Sequence, residues 1–153
     1  MEPTEPNYYR KLTHATYDCR YHVVFVPKYR YAVLTEAAII KTVQQVFEWI
    51  CENNDIVMIE GNIRPDHVHL YLSIPPKYSI ADVVKWLKEK SATRCFLHHP
   101  ELLKRYWGRH FWARGYFVST VGITDNIIRN YIRNQEQQEY AKEELAKQLR
   151  LWK

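Results

Sequence analysis

Long apolar runs, paired cysteines and repeats are what this sequence does without. No apolar stretch approaches the ~20 residues needed to cross a bilayer, so no membrane-spanning helix is expected. The opening Met1-Glu2-Pro3-Thr4-Glu5-Pro6 carries acids and prolines where a secretory leader carries an apolar segment, so no signal peptide is expected either. The three cysteines, Cys19, Cys51 and Cys95, lie far apart and form no Cys-x-x-Cys pair. That pattern argues against a disulfide framework and a thiolate zinc site, and fits a cytoplasmic, reducing location. Internal repeats, low-complexity tracts and linkers are absent. The 153 residues, 46% of them hydrophobic, are therefore expected to form a single domain over residues 1–153 with an ordinary core.

Positive charge is present in excess, at a net +5, and it is unevenly placed. Between Lys77 and Arg114 nine bases (Lys77, Lys85, Lys88, Lys90, Arg94, Lys104, Arg105, Arg109, Arg114) face three acids (Asp82, Glu89, Glu101). Trp86, Phe96, Tyr106, Trp107, Phe111 and Trp112 interleave with them. Bases attract phosphate and aromatic faces stack on unpaired nucleobases, so this stretch reads as a single-strand nucleic-acid surface. The plainer reading is a solvated basic helix followed by core aromatics.

Residue patterning gives the order of elements. Tyr17 to Val26 is aromatic and β-branched and stops at Pro27, as a strand does. Ala37, Ile40, Val43, Val46, Phe47 and Ile50 follow at helical spacing behind Thr35, a candidate cap. Asp55 to Ile63 reads as a second strand, with a bulge or bend expected at Gly61. Pro65-Asp66 turns the chain into a third strand, His67 to Ile74. Ser79 is placed to cap a second helix that ends by His98-His99-Pro100. Phe111 to Val121 reads as a fourth strand interrupted at Gly115, and Thr124 or Asp125 caps a long last helix. The order β-α-β-β-α-β predicts an α+β, ferredoxin-like antiparallel sheet with its first and third strands at the centre, plus a C-terminal helix.

Chemistry concentrates in two places. Along the third strand His67, His69 and Tyr71 share one face while Val68, Leu70 and Leu72 share the other. The two imidazoles stand roughly 7 Å apart at Cα, close enough to share one metal ion. On the last helix Tyr131 and Gln135 are four residues apart and so on one face. An imidazole pair, an amide and a phenol are the equipment of a phosphoryl-transfer site. Taken singly, each has a structural reading as well. A His-Val-His strand is often just half-buried, and a helical tyrosine usually packs.

Several blocks occur together and in order: Tyr21-His22-Val23-Val24-Phe25-Val26-Pro27-Lys28-Tyr29-Arg30, Gly61-Asn62-Ile63-Arg64-Pro65-Asp66-His67-Val68-His69-Leu70, Trp112-Ala113-Arg114-Gly115-Tyr116-Phe117-Val118-Ser119-Thr120-Val121-Gly122 and Tyr131-Ile132-Arg133-Asn134-Gln135. In these the chain resembles the single-tyrosine transposases of small insertion sequences, members of the HUH (His-hydrophobic-His) superfamily, over roughly residues 15 to 140. The resemblance implies a DNA transposase that cuts and rejoins single-stranded DNA with hairpin ends through a 5′-phosphotyrosine. In that frame Tyr131 is the nucleophile. His67, His69 and, by analogy, Gln135 hold Mg²⁺ or Mn²⁺. Lys28, Arg30, Lys85, Lys88, Arg94 and Arg114 are candidate DNA contacts, and the working unit is a homodimer.

Two other functions are compatible with these residues. One is a domesticated repeat-processing nuclease or a small relaxase-like nickase. The other, of a different class, is a non-catalytic RNA-binding module on the same topology. That module would want stacking aromatics on its central strands, and no Gly-Phe-Gly-Phe-like run occurs.

Overall fold

The computed structural model describes residues 7–28, 32–104 and 110–151. The chain enters through a hairpin of β1 (Arg10–Leu12) and β2 (Ala15–Tyr17). It continues through β3 (Arg20–Phe25), α1 (Ala37–Asn53), β4 (Val57–Arg64), β5 (His67–Ser73), α2 (Ile80–His98), β6 (Phe117–Ser119) and α3 (Asp125–Leu151). The last four strands form one antiparallel sheet in the order β4-β5-β3-β6. The first and third predicted strands are β3 and β5, and they sit at the centre as expected.

Alternation along the two central strands divides the molecule. Val23 and Phe25 of β3, with Val68, Leu70 and Leu72 of β5, enter one hydrophobic core. They meet Ile39, Val43, Phe47 and Ile50 of α1 and Val83, Val84 and Leu87 of α2. Residues of the other parity, His22 and Val24 on β3 and His67, His69 and Tyr71 on β5, therefore lie on the face away from those helices. The cap of α2 forms as the sequence indicates, with the Ser79 hydroxyl accepting from the Asp82 N–H at 3.1 Å. Thr124 caps α3, its Oγ1 accepting from the Ile127 N–H at 3.3 Å.

The structure departs from sequence expectation at four points. The first main strand begins at Arg20, not Tyr17, because Tyr17 pairs with Arg10 in the entry hairpin. Arg20 Nε binds Asp18 at 2.6 Å where the chain turns out of that hairpin. The N-cap position of α1 falls on Glu36, whose side chain makes no capping hydrogen bond, so Thr35 is not the cap. In β4, Met58 pairs with Leu72 and Glu60 with Tyr71, which leaves Ile59 as the bulged residue instead of Gly61. A Cβ at Gly61 would stand 2.8 Å from the Met58 sulfur, so a larger residue there would require the methionine side chain to move. The fourth strand is interrupted at Gly115 as expected, but the break is wider than one residue. Trp112 bridges to Pro27, the chain bends through Gly115 at φ +87°, and only Phe117–Ser119 rejoins β3.

All three cysteines are free thiols. Burial pushes those of Cys51 and Cys95 up to about 12, so they act as small core hydrophobes. No helix among the described residues is long and apolar enough to cross a membrane.

This arrangement assigns stability to the helix-packed face. Leu70 is 1% exposed at the centre of it. Leu70→Ala is expected to lower unfolding free energy by about 2–5 kcal/mol in urea titration. Val121→Ala, at a side chain 70% exposed, is expected to change it by under about 0.5 kcal/mol.

Candidate active site

The open face of the sheet is organised in rows by strand register. Asn62, His69, Val24 and Phe117 form one row across all four strands. Glu60, Tyr71, His22 and Ser119 form the next. Arg64 lies opposite His67 at the near end. Paired residues point to the same side, so the imidazoles share their face with β6 at the far edge.

α3 brings the phenol to that edge. The Tyr131 ring lies 6.0 Å from the Phe117 ring, centre to centre. A side chain built on Gly115 would meet the Gln135 amide at 3.6 Å and the Tyr131 oxygen at 4.0 Å. The glycine thus makes the floor on which both rest. Tyr131 and Gln135 are brought together as their spacing predicts, and Gln135 is 9% exposed. Because β5 and β6 are separated only by β3, the histidine row and the Tyr131 edge are roughly 10 Å apart at the backbone.

The Tyr131 hydroxyl oxygen is buried and has no hydrogen-bond partner among the described residues. Burial raises its pKa well above the ordinary phenol value. An unsatisfied buried hydroxyl costs about 1–3 kcal/mol, so this is a strained position for a group that merely packs.

Each histidine is held at one nitrogen. Asp66 Oδ1 lies 2.7 Å from His67 Nδ1, which leaves Nε2 facing outward from that pair. His69 Nε2 lies 3.0 Å from His22 Nδ1, one ring donating to the other. His22 in turn stacks on Tyr71, with ring centres 4.1 Å apart and planes 4° from parallel. The Tyr71 hydroxyl accepts from Arg20 Nη1 at 2.8 Å. Burial lowers the pKa of His69, with His22 and His67 adding to the effect, and burial lowers that of His22. Glu60, beside them, pulls the other way. Both rings are thereby biased to the neutral, ligand-competent form.

Sequence reasoning left His22 without a partner. Its even spacing with Val24 was the available signal. It could be used only with the β3–β5 register known, since that register sets His22 diagonally across from His69.

No group of three or more His, Cys, Asp or Glu able to hold a metal occurs among the described residues. The imidazole pair with the buried Gln135 amide remains the set that the sequence indicates. In that set the amide oxygen is a donor of the kind Mg²⁺ and Mn²⁺ take, and the two imidazoles are donors that many divalent ions accept.

The basic residues separate into two places. Lys85 and Arg114, with His110 and Lys88, line an open groove of about 630 Å³ between α2 and the 110–116 segment. Lys88 is already engaged, donating to the Ala113 and Gly115 carbonyls at 2.9 and 2.6 Å. Arg94 lies instead beside His98 in a separate groove of about 390 Å³, with Trp49 and Lys90. The Lys28 backbone N–H donates to the Phe111 carbonyl at 2.9 Å, at the end of the split strand. Arg30 and the aromatics Tyr106 and Trp107 lie outside the described residues.

The sequence and the fold both have known relatives. Residues 15–135 match the family model of IS200-like transposases. The transposase of insertion sequence IS200 from Salmonella typhimurium is 35% identical over 138 residues, covering 90% of each chain. The ISDra2 transposase TnpA of Deinococcus radiodurans is 35% identical over 124 residues, covering 80% of this chain and 88% of that one. Among solved structures, a candidate transposase of Deinococcus radiodurans R1 superposes with a TM-score of 0.74 at 34% identity, over 82% of this chain and 97% of that one. A REP-associated tyrosine transposase, solved bound to a REP hairpin, shares the fold, with a TM-score of 0.54 at 11% identity over 85% and 68% of the two chains.

The buried phenol has a direct spectroscopic consequence. A difference titration of wild type against Tyr131→Phe, read at the phenolate absorption band, is expected to show no Tyr131 ionisation at about pH 10, where a free phenol is half ionised. A normal titration would show the hydroxyl to be solvated.

Proposed function

Because the chain belongs to the IS200-like transposase family, we propose that it cuts and rejoins single-stranded DNA at the ends of an insertion sequence, with the Tyr131 hydroxyl as nucleophile. The observation that carries this reading is the unsatisfied Tyr131 hydroxyl on the same sheet face as His67 and His69. In the reaction the Tyr131 oxygen bonds to the scissile phosphorus as the bond from phosphorus to the 3′-oxygen breaks. The phenolic proton is lost, the departing oxygen takes up a proton to become a 3′-hydroxyl, and a 5′-phosphotyrosine is left. That ester conserves the energy of the broken strand, so attack by another 3′-hydroxyl rejoins DNA without ATP.

His67, through Nε2, His69 and the Gln135 amide oxygen would hold Mg²⁺ or Mn²⁺. Bound there, the ion supplies Lewis-acid polarisation of the phosphate and offsets the charge that develops on it. The chain's own groups do the rest. Asp66 fixes the His67 tautomer, His22 holds His69, and Gly115, at φ +87°, makes the bend beside which the phenol and the amide lie. Lys85 and Arg114 offer phosphate contacts in the groove behind that segment. A hairpin is the natural form of the substrate end, since it presents a duplex to hold and an adjoining single strand to cut.

The working unit in this reading is a homodimer. Tyr140, Leu145 and Leu149 leave α3 with exposed apolar side chains beyond Tyr131. Gly122, with nothing within 4 Å of a would-be Cβ, precedes the helix as an unencumbered joint. α3 rests here against its own sheet, and a swing about that joint would offer Tyr131 to a partner's histidines.

Two measurements test the proposal. Tyr131→Phe should bind hairpin DNA as wild type does and form no covalent protein–DNA adduct on a denaturing gel; a normal adduct yield would remove Tyr131 as nucleophile. Mixing Tyr131→Phe protein with His67→Ala/His69→Ala protein should restore cleavage if sites form between subunits, since one subunit brings both histidines and the other the tyrosine. No restoration would place each site within one chain, and activity of a strict monomer would remove the dimer.

A further inference from the structure

Lys88 belongs to α2, on the helix-packed side of the sheet, while Tyr131 lies on the open side. The backbone of Ala113–Gly115 stands between them. Lys88 Nζ donates to the Ala113 carbonyl at 2.9 Å and to the Gly115 carbonyl at 2.6 Å. One turn further along the same helix, the buried Ser91 hydroxyl accepts from the Trp112 indole N–H at 2.9 Å and donates to the Leu87 carbonyl at 2.6 Å. α2 therefore grips the segment at both ends of the break in the split strand. On its other side that same segment carries Gly115, at φ +87°, against the Gln135 amide and the Tyr131 oxygen.

We propose that Lys88 is a positioning residue for the nucleophile: by holding the Ala113 and Gly115 carbonyls it fixes the bend on which the Tyr131 hydroxyl and the Gln135 amide rest. Three features support this. The Ala113 N–H makes the last ladder bond, to the Val26 carbonyl at 2.9 Å; beyond it the carbonyls of Ala113 and Gly115 need other donors, and the ammonium supplies both. Gly115 adopts its positive φ without strain but, as a glycine, is free to leave it, so the bend is fixed only by the groups that hold it. Finally, the lysine is half-buried against the Phe25 ring, 5.6 Å from its centre, and burial brings its pKa down to about 8. A side chain of this length serving only to contact DNA would keep its ammonium in water.

This inference rests on Tyr131 being the nucleophile, and the test uses a readout that does not depend on cleavage. With 3-fluorotyrosine placed at position 131, the ¹⁹F resonance reports the seat of the ring directly. In Lys88→Met the resonance is expected to shift or broaden, and Lys88→Arg, which keeps donors in place, is expected to restore it in part. Cleavage by Lys88→Met at saturating hairpin DNA should fall by up to about a hundredfold, the scale on which an ångström of misplacement acts, with DNA affinity unchanged. Where thermal melting shows Lys88→Met to be unfolded, Lys88→Gln replaces it. An unmoved ¹⁹F resonance overturns the proposal. So does a loss of affinity, with a shallower salt dependence and an unchanged rate at saturation, which would make Lys88 a phosphate contact. Adduct formation by Tyr131→Phe would instead refute the nucleophile assignment, leaving Lys88 to be judged on the fluorine signal.

Discussion

One antiparallel register, with Val24 opposite His69 on one side and Phe117 on the other, sustains everything in this molecule that bears on chemistry. Strand alternation makes β3 and β5 two-faced, and the register makes their faces agree. The side that holds Val23, Phe25, Val68, Leu70 and Leu72 is committed to α1 and α2. The other side is left free to gather polar groups on a stiff platform. A slip of one residue would bury the histidines among the helices and expose the leucines, so the core itself enforces the geometry of the imidazoles.

That platform also sets the electrostatics. His22, His69 and Tyr71 are half-buried, and burial opposes protonation of the two imidazoles. The cationic partner of the cluster, Arg20, is placed at its outer end, where Asp18 neutralises it. Asp66 is likewise outside the row and reaches only His67. Neutral nitrogens are thus presented inward while formal charges are kept to the rim, a distribution suited to receiving a cation and a phosphate.

Much of this was legible in the residues. The element order, the central place of the two key strands, the Ser79 cap and the common face of Tyr131 and Gln135 all follow from local periodicity, which needs no tertiary knowledge. The entry hairpin was missed because three-residue strands carry too short an alternation to register. The split of the fourth strand was missed in extent because its second half looks as β-branched as a true strand. The glycine marked the place of the break, and the Lys88 contacts and the Gly115 bend give its width. His22 and Lys88 acquire meaning from neighbours 47 and 25 or more residues away in sequence. One chain contains no record of which distant residues meet. The same holds for the basic residues, since charge counting gathered Lys85, Lys88 and Arg94 into one stretch, whereas the turn of α2 distributes them over different surfaces.

The extra residue in β4 works like a vernier on the edge of the site. The imidazoles are fixed by β5, which is paired on both sides, but their outer neighbours are chosen by where β4 miscounts. With Ile59 bulged, Glu60, Asn62 and Arg64 line up beside Tyr71, His69 and His67. Moved two residues toward the Pro65–Asp66 turn, the same miscount would set Ile59 opposite Tyr71 and turn Glu60 toward the core, with Asn62 and Arg64 left in place. The charge, hydrogen-bonding capacity and polarity of one border of the site are therefore adjustable by the position of a single backbone irregularity, while the β3–β5 platform stays as it is.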